Sequence, residues 1–523
     1  MRRRAMLAAC AIALASCTPS VPASGSLVYG LTLAPSGIDP HLNASSELGI
    51  PLASVYDTLV FLDPDTGDFV PGLAEDWTIS PDGTTYSFHL RRDVTFHDGT
   101  RFDAQAVRAN IEYTLNPDNH SQKAAFMLGP LDRVETPDEF TAVLVLEEPY
   151  APLLDSLSQV YLGMASPKAL EEWGPVDYQF HQVGTGPYTF VEYVPNDHLT
   201  LRANPDYDWA PSVYKQRRAS IETITFRFFT DSATRALALE SGQADIVGEI
   251  PPHDAERLVS SGGFTLTPVP IAGQPLQFML NTTRPPTDEL AVRQALILGA
   301  NRAAIVQTIF GSTSPVAQGP LSLNVMPSLA ENPLPDHDPA EAGRLLDTAG
   351  WTLEEGQTAR SRDGQPMQLK IVAPAWGSNP EVAQLLQADW ERLGIKVEVE
   401  IAAGFGPLKE AQAAGEYNLI GVNLFGTDPD LLRPFFTSGD SYDWTMIQSP
   451  ELDRVLLEAS QATLDRASRA ALYEQAAGMI REQALILPVR DYVNLVVANA
   501  RVLDLRFSAQ GWFPNLIDLR LAS

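Results

Sequence analysis

Apolar positions along the chain follow two periods that take turns. Short runs of β-branched and aromatic residues, alternating or continuous, predict strands at 26–33, 86–90, 140–146, 199–201, 221–229, 367–372, 395–401, 486–489 and 495–498. Helical spacing predicts helices at 103–115, 232–241, 338–350, 380–393, 450–462 and 464–483, and a long helical region at 288–310. Residues 48–62 read as a helix feeding an apolar strand. Asp103 stands as an N-cap, Asp338 and Pro339 as N-cap and first helical residue, and Gly350 as a stop. Helices alternating with strands predict α/β layers.

At 523 residues and 45% hydrophobic, the chain exceeds what one compact core holds, so at least two lobes, each with its own core, are expected. The 41 Pro and 35 Gly are spread along it, which predicts a loop-rich globular protein. No repeat of fixed period and no interdomain linker interrupts the body, so the lobes are expected to be knit by crossings of the chain. A net charge of -29 disfavours nucleic acid and anionic membrane surfaces as partners. The two Cys are Cys10 and Cys17, which excludes a disulfide framework or a Cys-based metal site in the body.

The N-terminus reads as an address. Three Arg follow Met1, an apolar run extends from Ala5 to Ala15, and Leu14-Ala15-Ser16-Cys17 closes it. The run is too short to span a bilayer as a helix. Its end resembles a lipobox, with Cys17 as the lipidated residue. Residues 1–16 are then the signal peptide and 17–25 a flexible tether, and two acyl chains would hold the body stably at a membrane outside the cytoplasm. A soluble export signal, with Cys17 incidental, is the alternative. No later apolar stretch is long enough to span a membrane.

Residues 74–99 carry the most specific pattern: Ala74, Trp77, Ser80, Asp82-Gly83, Tyr86, Phe88, Leu90, Arg91, Val94 and Phe96-His97-Asp98-Gly99, followed by Ala104 and Val107. This resembles the signature of the family 5 solute-binding proteins of ABC importers, the dipeptide, oligopeptide and nickel group. Further blocks resemble that family in the same order: Val183-Gly184-Thr185-Gly186-Pro187-Tyr188, Asn204 to Tyr207, Gly242 to Asp245, Phe278 to Asn281, Val292 to Ala295, Asn301-Arg302, Leu345 to Gly350 and Leu393 to Ile395. Most of these residues are expected to hold the fold, with Gly184 and Gly186 permitting turn geometry and Asp82 and Asp98 capping turns.

The resemblance implies a two-lobed clamp of the periplasmic-binding-protein type II class. Lobe I would take 26–272 and 487–523, with an extra subdomain at about 60–185, and lobe II would take 273–486. Peptide-binding relatives hold the ligand's α-amino group with an Asp in a block resembling Trp-x-x-Asp-x-x-Asp-Pro. The second Asp and the Pro match here as Asp428 and Pro429, but Phe425 stands at the amine-binding position; Asp428 is the candidate to take over that role, with a structural role as its alternative. A buried ammonium needs a charged partner, so Phe425 argues against a free peptide N-terminus as the recognised group.

Other cleft candidates come by position. Ala34, Pro35 and Ser36 follow the first strand; His120, Ser121, Lys123, Phe126 and Met127 follow the signature helix. Trp376 follows a strand of the second lobe, Arg433 offers a carboxylate partner, Tyr442 and Trp444 occupy a polar loop, and Tyr492 lies at the return crossing. Packing is the competing role for Trp376, a salt bridge for Arg433, and plain exposure for Lys123.

None of the eight His forms a close ligand pair, and no nucleophile-elbow, P-loop or dinucleotide fingerprint sits on a strand-turn-helix. Neither an enzyme, a resident metal nor a cofactor is expected. The reading is a monomeric extracytoplasmic lipoprotein that captures a peptide or peptide-like solute and delivers it to ABC permease subunits. Alternatives are an opine, oligosaccharide or nickel chelate as ligand, with His120 the first residue to test, or a retuned signalling or chaperone lipoprotein.

Overall fold

Two large mixed sheets carry most of the strands that the alternation predicts. The computed structural model describes residues 25–35, 37–463 and 465–522. The leader, Cys17 and Ser36 lie outside the described residues. The first sheet has seven strands in the order Phe264–Pro270, Val493–Asn499, Ile246–Val247, Ser26–Leu31, Thr223–Phe228, His198–Ala203, Tyr188–Val194. The second has five, in the order Lys396–Ala402, Gln368–Pro374, Leu419–Gly421, Leu276–Leu280, Ile486–Arg490. The chain leaves the first sheet at Pro270, enters the second at Leu276, and returns between Arg490 and Val493. Leu487 itself pairs with Phe278 inside the second sheet.

Each sheet has a parallel centre. Ser26–Leu31 runs parallel to Thr223–Phe228 and Ile246–Val247, and Gln368–Pro374 runs parallel to Lys396–Ala402 and Leu419–Gly421. These strands are buried nearly end to end, as expected where helices cover both faces. The helices start where their caps are. Asp103, Asp231, Asp338, Ser449 and Asp465 each accept a backbone N–H from the first turn. The long helical region at 288–310 is two helices, Leu290–Gly299 and Arg302–Phe310, because Asn301 caps the second through the N–H of Ala304.

The signature block builds a four-stranded antiparallel sheet, Ala74–Ile79, Thr85–Leu90, Thr141–Leu146 and Leu131–Asp138 in spatial order neighbours. Gly83 and Gly99 take φ of 72° and 79°, so their turns require glycine. Gly184 and Gly186 differ: their φ is not positive, and a Cβ there would meet the carbonyl oxygens of Val55 at 2.0 Å and Ser54 at 2.4 Å. Close backbone approach, not turn geometry, is what these two glycines permit. The same loop and the Asn204–Tyr207 turn converge on buried Asp57, which accepts from Thr185 Oγ1 at 3.1 Å, Tyr207 Oη at 3.1 Å and Trp209 Nε1 at 2.9 Å. The motif residues hold the first lobe together.

The expected separation into two cores is corrected. One set of buried apolar side chains runs from Leu27 and Phe226 through Ile271, Leu276 and Tyr492 to Trp390 in the second lobe. A second set, centred on Phe436, Trp444 and Tyr473, fills the far face of the five-stranded sheet, and a smaller third lies under the helix Ser232–Glu240. The sequence shows which positions are apolar but not that the hinge is itself packed.

Candidate functional site

In open α/β sheets, ligands bind beyond the carboxyl ends of the parallel strands. Here those ends are residues 32–35 and 248–249 on one side and residues 375–377 and 422–425 on the other, and Tyr492, in the return crossing, touches the second group. Its ring meets Phe425 edge-on, with centroids 4.9 Å apart and planes at 89°. Its hydroxyl lies 3.4 Å from Asn423 Oδ1. Trp512 closes on the other edge of Phe425 at 5.5 Å. The strand segment at Phe425 is fixed by pairing with Gly273, where Gly426 N donates to Ala272 O and Gln274 N to Leu424 O.

Charge enters this aromatic cluster through Arg490. Its guanidinium lies between Phe310, 3.8 Å from the ring centroid, and Tyr492 at 4.4 Å, and Nη1 donates to Ser314 Oγ at 3.0 Å. Burial lowers the Arg490 pKa, and Tyr492, Glu249 and Asp491 oppose that shift. Burial raises Tyr492 to about 12 and Asp491 to about 6. Glu249, at φ 49°, is held by Asn494 Oδ1 accepting its N–H at 2.7 Å. Glu47 accepts from both the N–H and the hydroxyl of Thr32, and burial, then Glu249, raises it to about 7. Leu33, Trp376 and Leu424 leave large apolar surface exposed beside these groups, Trp376 at 43%.

The sequence profile of the bacterial extracellular solute-binding proteins, family 5 Middle, matches residues 68–445. The chain belongs to this family of solute-binding proteins. It is 29% identical over 487 residues to the glutathione-binding protein GsiB of Pectobacterium atrosepticum, across 91% of this chain and 90% of that one. It is 28% identical over 484 residues to the nickel-binding periplasmic protein of Escherichia coli, across 88% of each. NikA of Brucella suis, solved with Fe(III)-EDTA, matches with a TM-score of 0.85 and 26% identity over 95% of this chain and 100% of that one. The fold is the two-lobed clamp.

Within this solute-binding protein the sequence candidates separate. Phe425, Tyr492 and Trp376 come together at the carboxyl ends, with Ala34 and Pro35 at the end of Ser26–Leu31. Asp428 is occupied: Arg469 donates to both of its oxygens, at 2.8 and 2.6 Å, and its Oδ1 also accepts from Asp430 N. Arg433 is likewise held by Asp430 and does not stand free for a ligand carboxylate. Trp444 is fully buried, and Tyr442 packs on Phe405 and Phe435, so both belong to the far face of the second lobe. His120 is exposed in a left-handed turn, Phe126 is exposed and Met127 is core. Lys123, expected to be exposed, is half-buried with its ammonium 3.9 Å from the Tyr161 centroid, and burial lowers it to about 8.

Arg490, Glu249, Gln274, Trp512 and Asp155 escape sequence reasoning. One had a signal: Arg490 ends a strand whose five positions are all buried. Among the described residues, no group of three or more His, Cys, Asp or Glu is placed to hold a metal ion.

Proposed function

We propose that this solute-binding protein is the lipid-anchored receptor of an ABC import system, closing its lobes over a small solute and passing it to the permease. Family membership supports capture, and the contact of Tyr492, in the return crossing, with the second lobe's strand ends supports the cleft as the place. The observation that carries the ligand argument is the edge-on contact of Phe425 with Tyr492 and Trp512. It puts an apolar cluster where peptide-binding relatives are expected to present an amine-binding carboxylate, and Asp428 is neutralised by Arg469. The ligand is a peptide-like solute, or a chelate or other small molecule, recognised without a free α-amino group. The relatives named above are named for nickel and for glutathione, whose γ-glutamyl residue keeps a free α-amino group, so glutathione is the probe that would count against this part of the reading.

Thermal melting of the soluble body against glutathione, dipeptides, opines, oligosaccharides and nickel–histidine tests this. A true ligand at a hundred times its Kd stabilises by about 2.7 kcal/mol and is recovered unchanged. A body that no class stabilises, or that consumes its ligand, argues against the receptor reading. Cys17→Ser tests the anchor: the variant should leave the membrane fraction for the soluble one.

A further inference from the structure

We propose that the hinge holds a carboxylate-binding subsite formed by Arg490, Trp512 and Gln274 around the Phe425–Tyr492 contact, and that the captured solute places a carboxylate there. This rests on the solute-capture reading and narrows it to acidic ligands. The three side chains are 9%, 8% and 1% exposed, and each buries a donor with no acceptor: Arg490 Nε, Trp512 Nε1 and Gln274 Nε2. None is free to turn away. Gln274 Oε1 accepts the N–H of Leu424 at 3.0 Å, which fixes which end of its amide is the donor. Arg490 is held by Ser314 and its two aromatic neighbours, and Trp512 by its contact with Phe425.

A buried guanidinium and buried N–H groups without partners are costly, and an anion that accepts from them removes the cost. Among the described residues, no carboxylate lies within 4.0 Å of the Arg490 guanidinium nitrogens. The neighbouring polar groups do not fill the role. Asp491 uses Oδ2 to accept Leu323 N, and its Oδ1 has no donor; Gln277 has neither amide atom paired. Glu249 acts on Arg490 only from beyond ion-pair distance and lies 3.9 Å from Arg235 Nη1, with its side chain 43% exposed. Of the ligand groups available to a peptide-like solute, a carboxylate suits three donors best. It brings two oxygens with roughly four lone-pair sites and a geometry that guanidinium matches.

The test is calorimetric titration of wild type, Arg490→Met and Gln274→Glu with glutathione and its diethyl ester, Met-Leu and Met-Leu amide, and cellobiose. Gln274→Glu keeps an acceptor for Leu424 N and replaces the donor with a charge that repels carboxylates. The melting curve of each unliganded variant checks that it folds. Wild type should bind at least one acid at least tenfold tighter than its ester or amide, and each variant should cost that acid tenfold or more. Equal affinity for acid and neutral forms, binding of cellobiose alone, or variants that bind the acid like wild type overturns the subsite and leaves solute capture standing. No binding by any probe overturns the subsite, and solute capture falls with it when no class in the melting panel stabilises the body.

Discussion

Thr427 donates its hydroxyl hydrogen to Asp155 Oδ1, joining the segment beside the second lobe's strand ends to the helix Leu153–Leu157. Gln159 Nε2 donates to the other oxygen at 2.8 Å. Other contacts cross at the same boundary: Ala151 N donates to Ser460 O at 2.7 Å, and Arg466 meets Asp68 at 2.8 Å. The two halves therefore touch at a point remote in sequence from either crossing, and Asp155 is buried there.

That burial makes closure sensitive to pH. The Asp155 carboxyl is held above the ordinary carboxylate range by desolvation first and then by Asp428, while Thr427, Gln159 and Arg469 pull the other way. Lys123 and Tyr150 complete the titratable surroundings. In an open form the group returns to its usual value near ~3.9. The closed form then binds more protons between about pH 4 and neutrality, so closure strengthens as pH falls and weakens as pH rises. Ligand affinity should rise up to roughly tenfold from pH 7.5 to 5. Asp155→Asn should bind tightly at both, and comparison with it separates Asp155 from Glu47. An affinity profile identical in the variant would remove Asp155 from the account.

The Asp428–Arg469 pair is a structural bond rather than a ligand site. Both side chains are largely buried, so Arg469→Met strands a carboxylate and should cost about 3 kcal/mol in urea denaturation. Adding Asp428→Asn should recover part of the loss, with a coupling of roughly 1–3 kcal/mol. Strictly additive losses would contradict the pairing.

Gly273 is the backbone counterpart. It takes φ 139°, and a Cβ would sit 2.6 Å from both Leu424 O and Phe425 Cα. Gly273→Ala should lose about 2 kcal/mol or more and displace Phe425, lowering ligand affinity with it. Wild-type melting and wild-type affinity in that variant would show that the hinge tolerates the shift.

Phe425 itself sets ligand chemistry. Wild type should bind a dipeptide and its N-acetyl form within about threefold of each other, equivalent to less than about 1 kcal/mol. Phe425→Asp should shift preference toward the free amine while losing thermal stability, because a carboxylate enters an aromatic cluster. A strong wild-type preference for the free amine would move the amine site elsewhere, with Glu249 and Asp491 the carboxylates to examine.

What the sequence revealed follows from how local each signal is. Strands such as Thr223–Phe228 and capped helices such as Pro339–Thr348 declare themselves within a few residues. The helices Pro252–Ser260 and Phe405–Ala414 did not: the first is short and opens on the Pro251-Pro252 pair, and the second buries only Leu408 and Gln412. Within the site, Phe425, Trp376 and Tyr492 were reachable from the order of the motif blocks. The grouping of Gln274, Arg490 and Trp512 depends on strand register and on the crossings, which no local pattern encodes. For Asp428 and Arg433 the sequence left a structural role beside the ligand one, and the partners that hold them, Arg469 and Asp430, are named by the fold and not by any local pattern.

The strand Val493–Asn499 has a consequence for how the molecule is made. It lies inside the first sheet, between Phe264–Pro270 and Ile246–Val247, although the whole second sheet separates it from both in sequence. The first sheet, for all its early start, cannot be finished until the strands of the second have been made. Maturation of this solute-binding protein should therefore wait on that strand, and chains cut short before it should accumulate as protease-sensitive intermediates.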